Sequence, residues 1–180
     1  IAQKKEYPAL YSCLMDEFGP DRESRGLHPN IWPANAFIGN YLRMELLSQA
    51  GRPAQLLREA REYFDYMALK TGTLWENTGD YASCNHGFAS HILHCFYRDI
   101  LGVAGIENHL ICLSFHDLPL TECRGTLPTA DGPLSVEWIR SDNTIRACVH
   151  VPEGFQIQAS CTDGLRLELQ TETASKKRLQ

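Results

Sequence analysis

The apolar positions of this chain change their period just past its middle. From Ala36 to Met67 they recur at helical spacing: Phe37, Ile38, Tyr41, Leu42, Leu46 and Leu47, then Leu56, Leu57, Ala60, Tyr63, Phe64 and Met67. That is the stripe of an amphipathic helix, so two helices are predicted. The break between them is Ala50-Gly51-Arg52-Pro53, in which Gly51 suits the position just past a helix end and Pro53 the first turn of the next. So short a connection makes the helices antiparallel neighbours. A third helix is predicted from about His86 to Leu101, with Phe88, Ala89, Ile92, Leu93, Cys95, Phe96, Ile100 and Leu101. It is apolar on more than one side and is expected to be the most buried of the three. A fourth is expected near Pro8 to Phe18.

After Gly105 the pattern becomes short, often alternating runs: HLICLSF, LSVEWIR, TIRACVHV, FQIQASC and LRLELQT. These are predicted strands. They are separated by Thr129-Ala130-Asp131-Gly132-Pro133, Ser141-Asp142-Asn143, Pro152-Glu153-Gly154 and Asp163-Gly164, all of turn chemistry. Strands so spaced predict a small antiparallel β-sandwich. The chain is therefore expected to be α+β, with a helical part over 1–106, a sandwich over 107–172 and a tail over 173–180.

Composition narrows the function. With 180 residues, 43% hydrophobic and 22% charged, the chain falls in the ordinary globular range. A net charge of -5, with no cluster of Lys and Arg before Lys176, Lys177 and Arg178, gives no field to hold a polyanion. Nucleic acid and anionic membrane are not expected partners. No apolar stretch approaches the ~20 residues that cross a bilayer, and the opening IAQKKEYPALYSC lacks the long apolar centre of a signal peptide. A start on Ile1 rather than Met is compatible with a piece of a longer chain. The seven cysteines are odd in number and include no CxxC pair, so no disulfide framework is indicated; this usage favours a reducing compartment.

Candidate chemistry concentrates in TGTLWENTGDYASCNHGF, residues 71–88, where Trp75-Glu76 closes one helical pattern and Asn85-His86 opens the next. Loops on one rim of a helical assembly are where chemistry is grafted. An indole beside a carboxylate stacks on a sugar ring and lowers water access, which raises the carboxylate pKa, while donors such as Asn85 or His86 lower it. Glu76 is then a candidate general base or acid. The plainer alternative is that Trp75 belongs to the core and Glu76 is a solvated loop carboxylate. Asp80 is a candidate second carboxylate, at a separation the sequence does not give. Cys84, His86, His91, His94 and Cys95 include metal-ligand types, but their spacing matches no established zinc pattern, and no metal or other cofactor is expected. In HPNIWPANAFIG, Asn35 is either an N-cap or a ligand, and Trp32 lines a pocket or closes the core.

The run from AFIGNYLRMELL through TGTLWENTGDYASCNHGF to FYRDILGVAG resembles the C-terminal part of the catalytic domain of bacterial α-L-rhamnosidases, which are six-hairpin glycosidases. GPLSVEW and TIRACVHVPEGFQIQAS are similar to their terminal β-sandwich. The resemblance extends from about Pro33 to Ala159 and is most specific at Thr-Leu-Trp-Glu and at Asn-His. It implies the last helices of an (α/α)6 barrel, and hydrolysis of a terminal α-L-rhamnosyl linkage with inversion. Glu76 falls on the family's general base and His86 on a sugar-contacting histidine, and Trp75 and Asn85 beside them are expected to bind the substrate as well. The implied partners are a rhamnose-containing glycoside or polysaccharide and the remainder of the catalytic domain. The family's general-acid motif is not found here, because Asp21-Arg22-Glu23-Ser24-Arg25 lies too close to Glu76 in sequence. The alternative is a carbohydrate-binding or structural module without catalysis.

Overall fold

The computed structural model describes residues 4–32 and 38–174, and the chain divides into two compact units, Ile1–Ile92 and Leu93–Gln180. Asn35, Ala36 and Phe37, and the end of the expected tail, lie outside the described residues. The first unit holds α1 (Pro8–Glu17), α2 (Ile38–Gln49) and α3 (Pro53–Thr71). Pro53 does open α3, and Gly72 closes it in the left-handed conformation at φ 71°, its N–H donating to the Ala68 carbonyl. The inward stripe of α3, Leu56, Leu57, Ala60, Phe64 and Met67, is the one its apolar period predicts.

The inward face of α2 is a different one from the apolar stripe. Asn40, Arg43, Met44 and Leu47 are buried, while Ile38, Tyr41 and Leu42 are exposed. The reason is an ion pair that the hydrophobic pattern does not register. Arg43 Nη2 donates to Glu59 Oε1 at 2.8 Å and Arg43 Nε to Glu59 Oε2, and the same guanidinium reaches the carbonyls of Leu14 at 2.5 Å and Met15 at 2.9 Å. Gln55 Nε2 completes the cluster, donating to Met15 O at 2.7 Å and Glu59 Oε1 at 2.8 Å. All three helices are tied at this point, and the unpaired carbonyls at the end of α1 find donors.

The expected third helix is three short pieces. Gly87–Ser90 is 3₁₀, α4 is His91–Cys95, and Phe96–Ile100 is a π turn closed by Leu101 N–H donating to Phe96 O at 2.8 Å. Phe88 and Leu93 are exposed, so only one side is buried, by Ala89, Ile92, Cys95, Ile100 and Leu101. Among the described residues there are thus four short α-helices and none of the helices of an (α/α)6 barrel, which corrects the expectation of a partial barrel.

Among the described residues the second unit contains seven strands: β1 Val103–Glu107, β2 Leu110–Phe115, β3 Glu122–Thr129, β4 Gly132–Ser141, β5 Thr144–Pro152, β6 Gln156–Cys161 and β7 Arg166–Ala174. They form one sheet in the order β1-β2-β6 and another in the order β3-β4-β5-β7. Two sheets with alternating burial are consistent with a sandwich, but the expectation of an antiparallel one is also corrected. β2 pairs with β6, and β5 with β7, in parallel. The cause is connectivity, since after β5 the chain crosses to the other sheet as β6 and returns as β7, and alternation within a strand carries no information about its neighbour's direction. Leu134, Val136 and Trp138 of β4 and Ile145, Ala147, Val149 and Val151 of β5 form the buried faces.

Candidate functional site

The loop after α3 folds back on itself, and its two arms are tied by backbone hydrogen bonds. His86 N–H donates to Leu74 O at 2.9 Å and Glu76 N–H to Ser83 O at 2.8 Å. Thr73 Oγ1 adds a bond to Cys84 O at 2.5 Å, and Ser83 Oγ one to Asn85 O at 3.1 Å. The Trp75-Glu76 and Asn85-His86 stretches therefore lie side by side, although eight residues separate Glu76 from Asn85.

Trp75 is 1% exposed and forms the floor of this loop. Its Nε1 donates to Thr71 Oγ1 at 2.7 Å, Tyr66 meets its ring edge-on at 5.5 Å, and the Lys70 ammonium lies 5.3 Å from its centroid. Such an indole supports the loop rather than offering a face to a ligand. Glu76 above it is half-buried. Among the described residues its carboxylate accepts one hydrogen bond, from Ser83 N–H at 3.4 Å. It is held in place yet open to a further donor. Asn85 is exposed, and the half-buried His86 ring lies 5.8 Å from that of Phe88.

Asp80 is held differently. Its carboxylate accepts from Lys70 Nζ at 2.7 Å, and this bonded ammonium keeps its carboxyl below the usual carboxylate range. An aspartate held ionised in this way is a poor proton donor. His91 is bonded to Glu45 at 2.9 Å and His94 to Arg98 at 3.0 Å.

Three features of the site were not singled out by the sequence. Tyr81 and Phe88, 79% and 75% exposed, flank the paired arms, and the apolar pattern had placed Phe88 in the core. The third is a cavity of about 560 Å³ that the loop borders through Thr78. Tyr66, whose hydroxyl donates to Thr78 O, lines it together with Trp32, Glu62, Tyr63 and Asn40. Burial, and next the Glu59 carboxylate, push the Tyr63 hydroxyl up to about 12, so it remains protonated. Asn40 Nδ2 is buried with no hydrogen-bond partner among the described residues, which marks a place for an acceptor.

No family model matches the chain, and no curated protein matches it. A solved structure does. The crystal structure of a GH78 family rhamnosidase of Bacillus sp. GL1 is similar to this chain with a TM-score of 0.80 and 18% sequence identity. The similarity covers 97% of this chain and 19% of that one, so the chain spans about a fifth of its neighbour's length. At that identity the likeness is one of fold.

No helix among the described residues is long and apolar enough to cross a membrane. In the sheet unit Trp138 is only 2% exposed, so its ring offers no face to a sugar.

Proposed function

We propose that this chain is part of a glycoside hydrolase that releases terminal α-L-rhamnosyl groups with inversion, and that Glu76 is its general base. The observation that carries the reading is the pairing of the loop arms, which sets a half-buried, lightly hydrogen-bonded carboxylate on the arm next to the one that carries Asn85 and His86. The fold shared with a rhamnosidase along 97% of the chain supports it. Glu76 takes a proton from water as that water attacks the anomeric carbon, on the face opposite the leaving oxygen. Asn85 and His86 hydrogen-bond the sugar hydroxyls. Trp75 acts from beneath as the support that fixes the Glu76 backbone. An inverting enzyme needs a second carboxyl, protonated and about 6.5–9.5 Å away. Asp80, held ionised by Lys70, does not suit that role, so the acid comes from a segment outside this chain. The substrate is a rhamnose-containing glycoside or polysaccharide, the remainder of the catalytic domain is the partner, and chemistry between two carboxylates calls for no cofactor.

The alternative of a binding module without catalysis would use an exposed aromatic platform on the sheets, and the burial of Trp138 speaks against that strand as its site. The test is proton NMR of the first sugar released from an aryl α-L-rhamnoside by the full-length protein. The inverted anomer should appear before mutarotation. Initial release of the retained anomer, or no release from any α-L-rhamnoside, would overturn the reading.

A further inference from the structure

Away from this loop, three metal-ligating side chains of different type converge on one point. Cys13 and Glu17 stand one turn apart on α1, and His28 comes from the segment that follows. Cys13 Sγ lies 3.6 Å from Glu17 Oε2 and 3.7 Å from His28 Nε2, and Glu17 Oε2 lies 2.8 Å from that same Nε2. The thiol and the carboxylate thus compete for one ring nitrogen. A nucleophilic Cys–His–carboxylate relay uses the two ring nitrogens separately, one for the thiol and one for the carboxylate. Three donors facing one another across a common centre instead suit a cation.

We propose that Cys13, Glu17 and His28 form a zinc site. With Zn–S about 2.3 Å and Zn–N and Zn–O about 2.0–2.2 Å, a tetrahedral ion places sulfur about 3.6 Å from either lighter donor and the nitrogen about 3.4 Å from the oxygen. Two of the three observed separations already fit, and the third opens by roughly half an ångström once a cation replaces the Glu17–His28 hydrogen bond. The thiol's proton leaves to solvent as the thiolate binds, and the proton on His28 Nε2 that bonds Glu17 is also given up to solvent, the neutral ring keeping its proton on Nδ1. A thiolate, an imidazole and a carboxylate are the donor types that zinc takes, whereas magnesium and calcium prefer oxygen alone.

The histidine is held for this task. Its ring stacks on Phe18 at 4.5 Å with the planes 19° apart. Its carbonyl accepts from Ile31 N–H at 2.9 Å and from the buried Arg22 at 3.4 Å. Its backbone sits at φ 49°, in the left-handed region that a non-glycine residue keeps only when its surroundings insist. Three protein donors leave the fourth position to water.

The experiment is titration of the purified protein with cobalt(II) as a spectroscopic stand-in, followed by competition with zinc. Binding of one equivalent with a thiolate-to-cobalt charge-transfer band is expected. Cys13→Ser should abolish that band, and His28→Ala and Glu17→Gln should each weaken zinc binding tenfold or more, with melting curves confirming that the variants fold. X-ray absorption of the zinc-loaded wild-type protein should show one sulfur among lighter donors, which tests the site even where a variant fails to fold. The proposal is overturned by absence of the band in the wild type, by its survival in Cys13→Ser, by unchanged affinity in His28→Ala, or by two or more sulfurs around the zinc.

Discussion

Replacing Glu59 with leucine removes the carboxylate from a cluster that joins α1, α2 and α3. Glu59 is 2% exposed and Arg43 8%, so the variant leaves a buried guanidinium with, among the described residues, the Leu14 and Met15 carbonyls as partners. Breaking a buried ion pair from one side costs about 3–5 kcal/mol, because the remaining charge is neither solvated nor paired. Gln55 Nε2 also loses one of its two acceptors. The assay is native-state hydrogen exchange at the α3 amides, which follows the helical unit separately from the sheets. At about 1.4 kcal/mol per factor of ten, protection should fall by roughly two to four orders of magnitude. The double variant Arg43→Met/Glu59→Leu should recover most of this, since replacing a whole buried pair by apolar groups is often close to neutral. Recovery will be incomplete because the Leu14 carbonyl loses the guanidinium that caps it. Less than a tenfold loss in the single variant, or no recovery in the double, would refute the view that this pair is buried and mutually dependent.

Gly72→Ala isolates backbone strain, because an added Cβ at φ 71° meets nothing within 4 Å. It should destabilise by about 1–2 kcal/mol and lower the unit's melting temperature by roughly 5–15 °C; an unchanged melt would show that α3 does not end on this cap. Asp80 gives a pH dependence. Its folded pKa is depressed, chiefly by the Lys70 hydrogen bond, so its contribution is present above the ordinary 3.8 and is lost as pH falls through the lower folded value. An NMR titration should place the Asp80 midpoint below 3.8, and Lys70→Gln should move it back up; a midpoint indifferent to Lys70 would contradict the contact.

Helix α3 was legible in the sequence because its signals agree: Pro53 at the start, Gly72 just past the end, and an apolar stripe between. β2, β4, β5, β6 and β7 were legible for a similar reason, alternating runs bounded by turns. β1 was not, since Val103-Ala104-Gly105 is too small and irregular to alternate, and a register shift interrupts its pairing there. β3 is an edge strand of mixed polarity that ends in Pro128-Thr129, and it buries no apolar row that a pattern could reveal. The inward face of α2 was hidden because Arg43 reads as a solvent residue until Glu59, sixteen positions later, is known to meet it. The same long-range blindness concealed Cys13, Glu17 and His28, whose convergence depends on the turn that follows α1. At the loop, the residue types of Trp75, Glu76, Asn85 and His86 singled them out. That Trp75 lies beneath the loop, and that Lys70 occupies Asp80, required coordinates.

The role proposed for Glu76 is to remove a proton from the attacking water. It is tested most directly by steady-state hydrolysis of an aryl α-L-rhamnoside by the full-length protein and its Glu76→Gln variant. Glutamine keeps the size and hydrogen-bonding reach of the side chain but is no base. An unchanged melting temperature, a similar KM and a kcat lower by about 10²–10⁴, the usual contribution of a positioned general base, are expected. A variant that turns over at the parent rate would contradict that role.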